Sequence, residues 1–394
     1  MAQETGNNRI VSIDFVRGLV MILMTLDHVR DYFHDQAFEF DPLDMSRTYP
    51  MLYFTRWITH FCAPVFVFLS GTSAFLHGLN KTPGQLSRFL FTRGLWLIFA
   101  ELTIIGFGWF FDITFHLQLF GVIWAIGFSM IALSVISRLP LRLILIIGFA
   151  IVFGHNLLDS IHVQQPGALK VIWAAMHEGG FFTWMGHDFM FFYPALPWVG
   201  VMSLGYALGH FYKNGTVEKK RRTWLITAGT ASILLFAILR LTQIYGDPNL
   251  WSTQNGMFNT LISVLNTTKY PPSLSFLLMT LGPALLFLAW SEMWDIDRKR
   301  GVVVIGRVPM FYYLIHIYAI HLFALFATWS MDMPWTAMIL KTWVNYVPEL
   351  KGYGFPLLLV YIIWLAMVMM LYPFCVRYNA YKTAHKGKWW LSYL

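Results

Sequence analysis

Apolar runs of roughly 17–25 residues recur ten times along the chain, the length a helix needs to cross a hydrocarbon layer. They fall at about 10–31, 57–79, 89–110, 117–137, 141–157, 191–212, 224–243, 273–292, 302–328 and 355–376. Polar residues collect between the runs. The pattern predicts an all-α fold: a polytopic membrane helix bundle of about ten transmembrane helices. The 141–157 run is short enough to fit a re-entrant segment as well. There is no internal repeat, low-complexity segment or soluble domain, so residues 1–394 read as a single transmembrane domain. The lack of an inverted repeat weighs against a secondary transporter.

Composition narrows the class further. Hydrophobic residues make up 57% of the chain and charged residues 12%, about half the charge of an ordinary soluble domain. The net charge of +8 does not indicate nucleic acid, because the cations lie in separate loops rather than on one soluble face. With the N-terminus inside, the inner segments hold eighteen Lys and Arg and the outer segments eight. The inner set includes Arg9, the run Lys219–Arg222, Arg298–Arg300 and Lys386. This bias predicts both termini in the cytoplasm. The long loops 32–56, 155–190, 244–272 and 329–354 then face outward and are the expected place for substrate recognition. No cleavable signal peptide is expected, since the first apolar run is broken by Asp14 and Arg17. Cys62 and Cys375 are predicted on opposite sides of the membrane and should not pair.

The first run, SIDFVRGLVMILMTLDH, keeps Asp14, Arg17, Asp27 and His28. Ionisable groups in a membrane helix are costly and usually face a bundle interior or a watery cavity. Eleven helical residues advance by about 20° net and roughly 16 Å along the axis, so Arg17 and His28 share one stripe. Imidazole titrates near neutral pH, which makes His28 a candidate general base. Asp27 or Asp31 could orient its ring, Asp31 sharing the face better. His28 is equally readable as a polar cap at the helix end. His34, in DYFHD, is an alternative base, or a solvated loop histidine. Arg17, Arg88, Arg93 and Arg307 gather at the expected cytoplasmic mouth, where forked donors suit phosphate. Positive-inside anchoring explains Arg88 but not Arg17 or Arg307, which lie within runs. Asp14 could simply neutralise Arg17. Glu101 sits mid-span and needs a partner, one of these arginines being the natural choice. His316 and His321 are about 140° apart on the ninth helix, so only one can line a narrow pore, and His316 is the better placed. No HxxxH or HExxH spacing occurs, so no metal is expected. FFYPALPWVG and KYPPSLSFLL place prolines at helix starts, with Lys269 and Tyr270 able to border a pocket.

SIDFVRG, RWITHFCAPVFVFLSGTSAF, YPALPWVGVMSLGYALG, KYPPSLSFLLMTLGP and GRVPMFYYLIH, in this order, resemble bacterial membrane proteins related to the catalytic domain of heparan-α-glucosaminide N-acetyltransferase. That family lies within the wider transmembrane acyltransferase superfamily, and the resemblance covers nearly the whole chain. The RG…H element also resembles the acyltransferase-3 family, in which a first-helix Arg and a His eleven residues later are functional; Arg17 and His28 match that spacing. The resemblance implies a transmembrane acyltransferase in a bacterial inner membrane. Acyl-CoA, with acetyl-CoA favoured, would enter from the cytoplasm past Arg17, Arg93, Arg307 and His316. A carbohydrate or other acceptor would wait outside, with membrane lipid around the bundle. The eukaryotic members place their histidine in the following loop, to which His34 is the nearest counterpart, so the base stays open between His28 and His34, with Asp27 and Asp31 nearby. A transporter or channel using the same polar path, and a non-catalytic scaffold, are the competing readings. A monomer and a homodimer both stay open.

Overall fold

A computed structural model describes residues 10–165, 167–213, 217–297, 301–385 and 387–392. Arg9, Arg298–Arg300 and Lys386 of the charge count lie outside the described residues. Helices dominate. In chain order they are α1 (Val11–Phe33), α2 (Pro50–Ile58), α3 (Cys62–Gly78), α4 (Pro83–Ala100), α5 (Gly106–Phe110), α6 (Val122–Ile136), α7 (Leu141–Gly154) and α8 (Ala168–Trp173). They continue as α9 (Ala195–Gly209), α10 (Glu218–Thr242), α11 (Met257–Leu265), α12 (Leu274–Ser291), α13 (Gly301–Arg307), α14 (Pro309–Ser330) and α15 (Leu357–Ala384). Each of the ten apolar runs contains helix. Among the described residues, seven helical stretches are long and apolar enough to cross a membrane, including 141–158. The α1, α6 and α9 segments fall outside that set: α1 carries several charges, and α6 and α9 have 15 residues each.

Local sequence explains the boundaries. Thr82 and Gln85 close a capping box at the start of α4: the Gln85 amide donates to Thr82 Oγ1 over 3.3 Å, and the Thr82 amide donates to Gln85 Oε1 over 3.0 Å. Ser273 caps α12 by accepting from the Phe276 amide over 3.0 Å. The ninth run is broken at Val308, whose φ −127° and ψ 49° leave the helical region, because the residue before Pro309 is pushed out of it. Between α4 and α5 the chain widens into one π-helical turn, Glu101–Ile105.

The all-α expectation needs correction. Strands β1 (Leu117–Phe120), β2 (Gly180–Trp184) and β3 (His187–Phe191) form a small sheet in the order β1-β3-β2, the first pair parallel and the second antiparallel. The apolar runs at 117–137 and 191–212 therefore begin with or after strand, and their helices start at Val122 and Ala195. Met185 and Gly186, with φ 49° and 79°, close β2 onto β3 in a two-residue turn with both residues left-handed, the geometry that matches strand twist. A second correction concerns α1 and α2. The former reaches Phe33 and the latter starts at Pro50, so Arg30 and Arg56, counted as outer-loop cations, lie inside helices.

Helices meet at glycines. A Cβ on Gly18 would lie 1.8 Å from the Val302 carbonyl oxygen, and one on Gly306 would lie 1.8 Å from that of Asp14. The α1 and α13 backbones are therefore in direct contact, as small residues allow in membrane bundles. Gly71 and Gly205 make the same seam between α3 and α9, with hypothetical Cβ contacts of 2.1 and 1.9 Å, and Thr72 Oγ1 donates to the Gly205 carbonyl across it at 2.9 Å. Cys62 and Cys375 are buried free thiols. Gly306→Ala forces α1 and α13 apart and should destabilise the protein by about 1–3 kcal/mol, the usual range for overpacking. Gly84→Ala, in α4 with nothing within 4 Å of the new Cβ, should be neutral or stabilising by up to about 1 kcal/mol. Thermal unfolding in detergent compares the two; equal melting temperatures would refute the seam.

Candidate functional site

The last turns of α1 open on a cavity of about 340 Å³. Its walls come from α1, α2, the π-helical turn, the residues around β1, the loop 37–42 and the segments at 192–193, 270 and 343–346. These loops are tied together by backbone. Phe355 donates to the Phe33 carbonyl over 2.7 Å, Asp35 donates to the Phe355 carbonyl over 3.1 Å, and Asn345 Nδ2 donates to the Ala37 carbonyl over 2.8 Å. The small sheet holds the opposite wall, where the Tyr193 amide donates to the Phe120 carbonyl over 3.2 Å.

His28 lines this cavity. Its Nδ1 is 2.8 Å from His316 Nε2. The other nitrogen of His316, Nδ1, faces the carbonyl oxygens of Tyr313 at 2.6 Å and Tyr312 at 3.1 Å. A carbonyl only accepts, so His316 Nδ1 carries the hydrogen. With both rings neutral, His316 Nε2 is then an acceptor and His28 Nδ1 donates to it. That assignment, made from the hydrogen-bond network, leaves the lone pair of His28 on Nε2. Trp109 packs its ring against the His28 imidazole at 4.7 Å and 72°, and Tyr313 does so at 6.2 Å and 82°, so the ring is clamped by aromatic edges and faces.

The two carboxylates expected to orient His28 are engaged elsewhere. Asp27 accepts from Arg56 Nη1 at 2.6 and 2.7 Å and from Thr59 Oγ1 at 2.9 Å, and lies 3.0 Å from Arg30 Nη1. Arg30 Nη2 donates to Asp31 Oδ1 over 2.5 Å. The four side chains form a charge-balanced chain along the cavity wall, Arg56–Asp27–Arg30–Asp31. The imidazole takes its orientation from His316 instead. His316 is fully buried behind His28 and does not line the cavity, contrary to the pore-facing expectation. His321 bridges the Gly108 and Met338 carbonyls at 3.0 and 2.7 Å, a structural position.

The other sequence candidates lie apart. His34 is 1% exposed, sits 3.5 Å from Asp35 Oδ1 and does not line the cavity; burial pushes its pKa down, against the pull of Asp35. Arg17 donates to Asp14 Oδ1 at 3.2 Å, to Ser73 Oγ at 2.7 Å and to the Gly306 carbonyl at 3.2 Å. Arg307 Nε lies 3.6 Å from Asp14 Oδ2. Arg17 and Arg307 thus meet Asp14 across the α1–α13 seam, while Arg93 is half-buried on α4. None of the three lines the His28 cavity. Between the levels of Arg17 and His28, α1 presents buried Met21, Met24 and Thr25, the last paired with the Tyr312 hydroxyl at 2.8 Å. Among the described residues Glu101 pairs with no arginine: its Oε1 accepts from the Gly121 amide over 2.9 Å, and the residue lines the cavity.

Arg30 and Arg56 are cavity residues that reading the sequence assigned to loops. The signal for Arg56 was Pro50, a favoured first helical residue, which starts the helix earlier than the apolar run does. The Asp27 network gives a stability test. Asp27→Ala strips Arg56 of its ion-pair partner, leaves two guanidinium groups with the single carboxylate of Asp31, and should cost about 3–5 kcal/mol. Glu349→Ala, at an exposed position, should stay within about 0.5 kcal/mol. Denaturation midpoints of the two variants, measured side by side, decide it: equal midpoints would show that the buried pairing contributes nothing.

No curated protein matches the chain at a significant level. The sequence profile of one family, heparan-alpha-glucosaminide N-acetyltransferase, catalytic, matches residues 9–245. That is more than half of the chain, and it contains α1, the Asp27 network, Glu101 and the sheet. With the apolar helices, the match makes this an integral membrane protein of acetyltransferase-like function. The chain belongs to the heparan-alpha-glucosaminide N-acetyltransferase catalytic-domain family.

Proposed function

We propose that this protein is a membrane acyltransferase that moves an acyl group from acyl-CoA to an acceptor amine or hydroxyl, with acetyl-CoA as donor and a sugar as acceptor. His28 is the general base. The observation that carries the reading is the hydrogen-bonded chain from the Tyr312 and Tyr313 carbonyls through His316 to His28 Nδ1. It leaves a basic lone pair on Nε2 at a cavity large enough for a small acceptor group. The acceptor gives its proton to Nε2 as its nitrogen or oxygen attacks the thioester carbonyl, and the thiolate leaving group recovers that proton from the imidazolium. During the transfer the positive charge on His28 is shared with His316, whose Nδ1–H points at two carbonyl oxygens. The ion chain keeps Asp27 and Asp31 from competing for the proton.

In this reading both termini are cytoplasmic, in a bacterial inner membrane, and the cavity opens outward. Acyl-CoA arrives from the cytoplasmic side, where Arg17, Arg93 and Arg307 face its phosphates. Met21 and Met24 lie between the two levels of α1, and flexible thioether side chains give the acyl-pantetheine arm room to pass.

Three outcomes are expected, the first two at the histidines. His28→Ala should lower acyl transfer by about 10²–10⁴-fold, the range for loss of a general base, while acyl-CoA binding persists. His316→Ala should lower the rate by less, because Nε2 of His28 survives but its orientation does not. Steady-state transfer and acyl-CoA binding on purified protein test both; an active His28→Ala beside a dead His34→Ala moves the base to the loop, and solute flux without thioester turnover replaces the enzyme with a transporter. Arg17→Ala should weaken acyl-CoA binding by about ten- to a hundred-fold, the worth of one charge-assisted contact, with Arg17→Lys recovering part of it. Unchanged binding with a lowered melting temperature, rescued in the Asp14→Ala/Arg17→Ala double variant, would assign Arg17 to the ion pair alone.

A further inference from the structure

Glu101 stands apart from the other carboxylates on the cavity. It is 2% exposed and sits at the first position of the π-helical turn, a distortion that tends to occur where a helix serves a site. Its Oε1 is held by the Gly121 amide at 2.9 Å. The hold is tight: a Cβ on Gly121 would meet Oε1 at 2.4 Å. Its Oε2 is buried and has no hydrogen-bond partner among the described residues. Asp27 and Asp31 are taken by Arg30 and Arg56, while Glu39 and Asp41 are exposed on the loop. The remaining acidic side chains lining the cavity are the phenols of Tyr193, Tyr270, Tyr313 and Tyr346. A buried carboxylate oxygen without a donor is expensive to maintain. What would complete it is a donor brought by a ligand into the cavity that it shares with His28.

We propose that Glu101 is a second catalytic group of this site, the one that holds the acceptor's ammonium and takes its first proton. The proposal rests on the acyl-transfer reading above. An amine meets the site as R–NH₃⁺ and has no lone pair for attack. It must lose one proton before the C–N bond forms and another as it forms. A hydroxyl loses only one, for which His28 suffices. Glu101 Oε2 accepts the first proton, giving R–NH₂ and the carboxylic acid. The amine lone pair then forms the C–N bond, the C–S bond breaks, and His28 Nε2 takes the second proton and returns it to the CoA thiolate. The Glu101 proton leaves to water. The balance is R–NH₃⁺ plus acetyl-S-CoA to R–NH–acetyl, CoA-SH and one H⁺. Two proton acceptors on one cavity thus suit an amine acceptor, with Glu101 setting the position from which it attacks.

The test is the pH profile of acetyl transfer from acetyl-CoA to glucosamine, for purified full-length wild type and Glu101→Gln. The glutamine keeps an oxygen for the Gly121 amide, and melting temperatures confirm the fold. With Glu101→Gln, kcat/KM should fall by about 10²-fold or more at pH below the pKa of the amine. It should climb back toward wild type as the pH passes that pKa and the amine arrives already neutral. Gly121→Ala, which displaces Oε1, should shift the profile in the same direction. A glutamine variant equal to wild type at every pH, or lowered by a constant factor across the range, would overturn the role and leave the acyl-transfer reading standing. A wild type that acetylates nothing would remove that reading and Glu101's role with it.

Discussion

The rest of this structure depends on one constraint: inside a membrane bundle an ionisable side chain has to be given a partner by the fold. Asp27 is the clearest case. It neutralises Arg56 from α2 and Arg30 one turn along α1, and Arg30 passes the compensation on to Asp31. Helix α2 is thereby fixed against the end of α1. The same logic operates at the other level of α1, where Asp14 meets Arg17 and Arg307. Against this background, the cavity residues with hydrogen-bonding capacity unfilled among the described residues are the informative ones. His28 and Glu101 line the cavity outside the ion chain, and Glu101 Oε2 has no partner there.

Using a histidine rather than a carboxylate to orient His28 has a physical consequence. A carboxylate would place a full charge beside the ring in a low-dielectric interior, where its field is strong and its burial costly. His316 supplies the geometry without that charge, because backbone carbonyls fix its tautomer. The carbonyls come from Tyr312 and Tyr313, on the turn just after the Pro309 break. The helix break that separates α13 from α14 therefore also places the first turns of α14, whose backbone sets the tautomer of the histidine pair.

The helices were legible in the sequence because hydrocarbon thickness imposes a length that apolar runs must meet. The sheet was not. FFTW-MG-HDFMF carries a two-residue turn between short strands, but the turn has Met185 in a left-handed conformation where Asn or Asp is the usual signal, and its strands are too apolar to alternate. Helix ends were misjudged where charge interrupted apolarity: Arg30 and Arg56 looked like loop cations because their carboxylate partner, Asp27, is remote in sequence from Arg56. In the site, the placement of His28 on an inward stripe was readable from helical periodicity. Its pairing with His316 was not, since the two are 288 residues apart. Nor could periodicity say which of two acidic neighbours His28 would choose; it chose neither.

Glycine seams complete the argument by explaining why such a site can be held in a fluid surrounding. Lipid provides no hydrophobic force to press helices together, so their association depends on close packing. At Gly18 and Gly306 the α1 and α13 backbones touch, and Arg17 donates to the Gly306 carbonyl at the same place. Helix α1 is thus clamped at its lower end by backbone contact and at its upper end by the ion chain, with His28 next to the second clamp. A helix held at both ends has little freedom to rotate about its axis, and rotation is the motion that would separate His28 Nδ1 from His316 Nε2. The seams and the ion chain therefore act at a distance, by fixing the orientation of one imidazole.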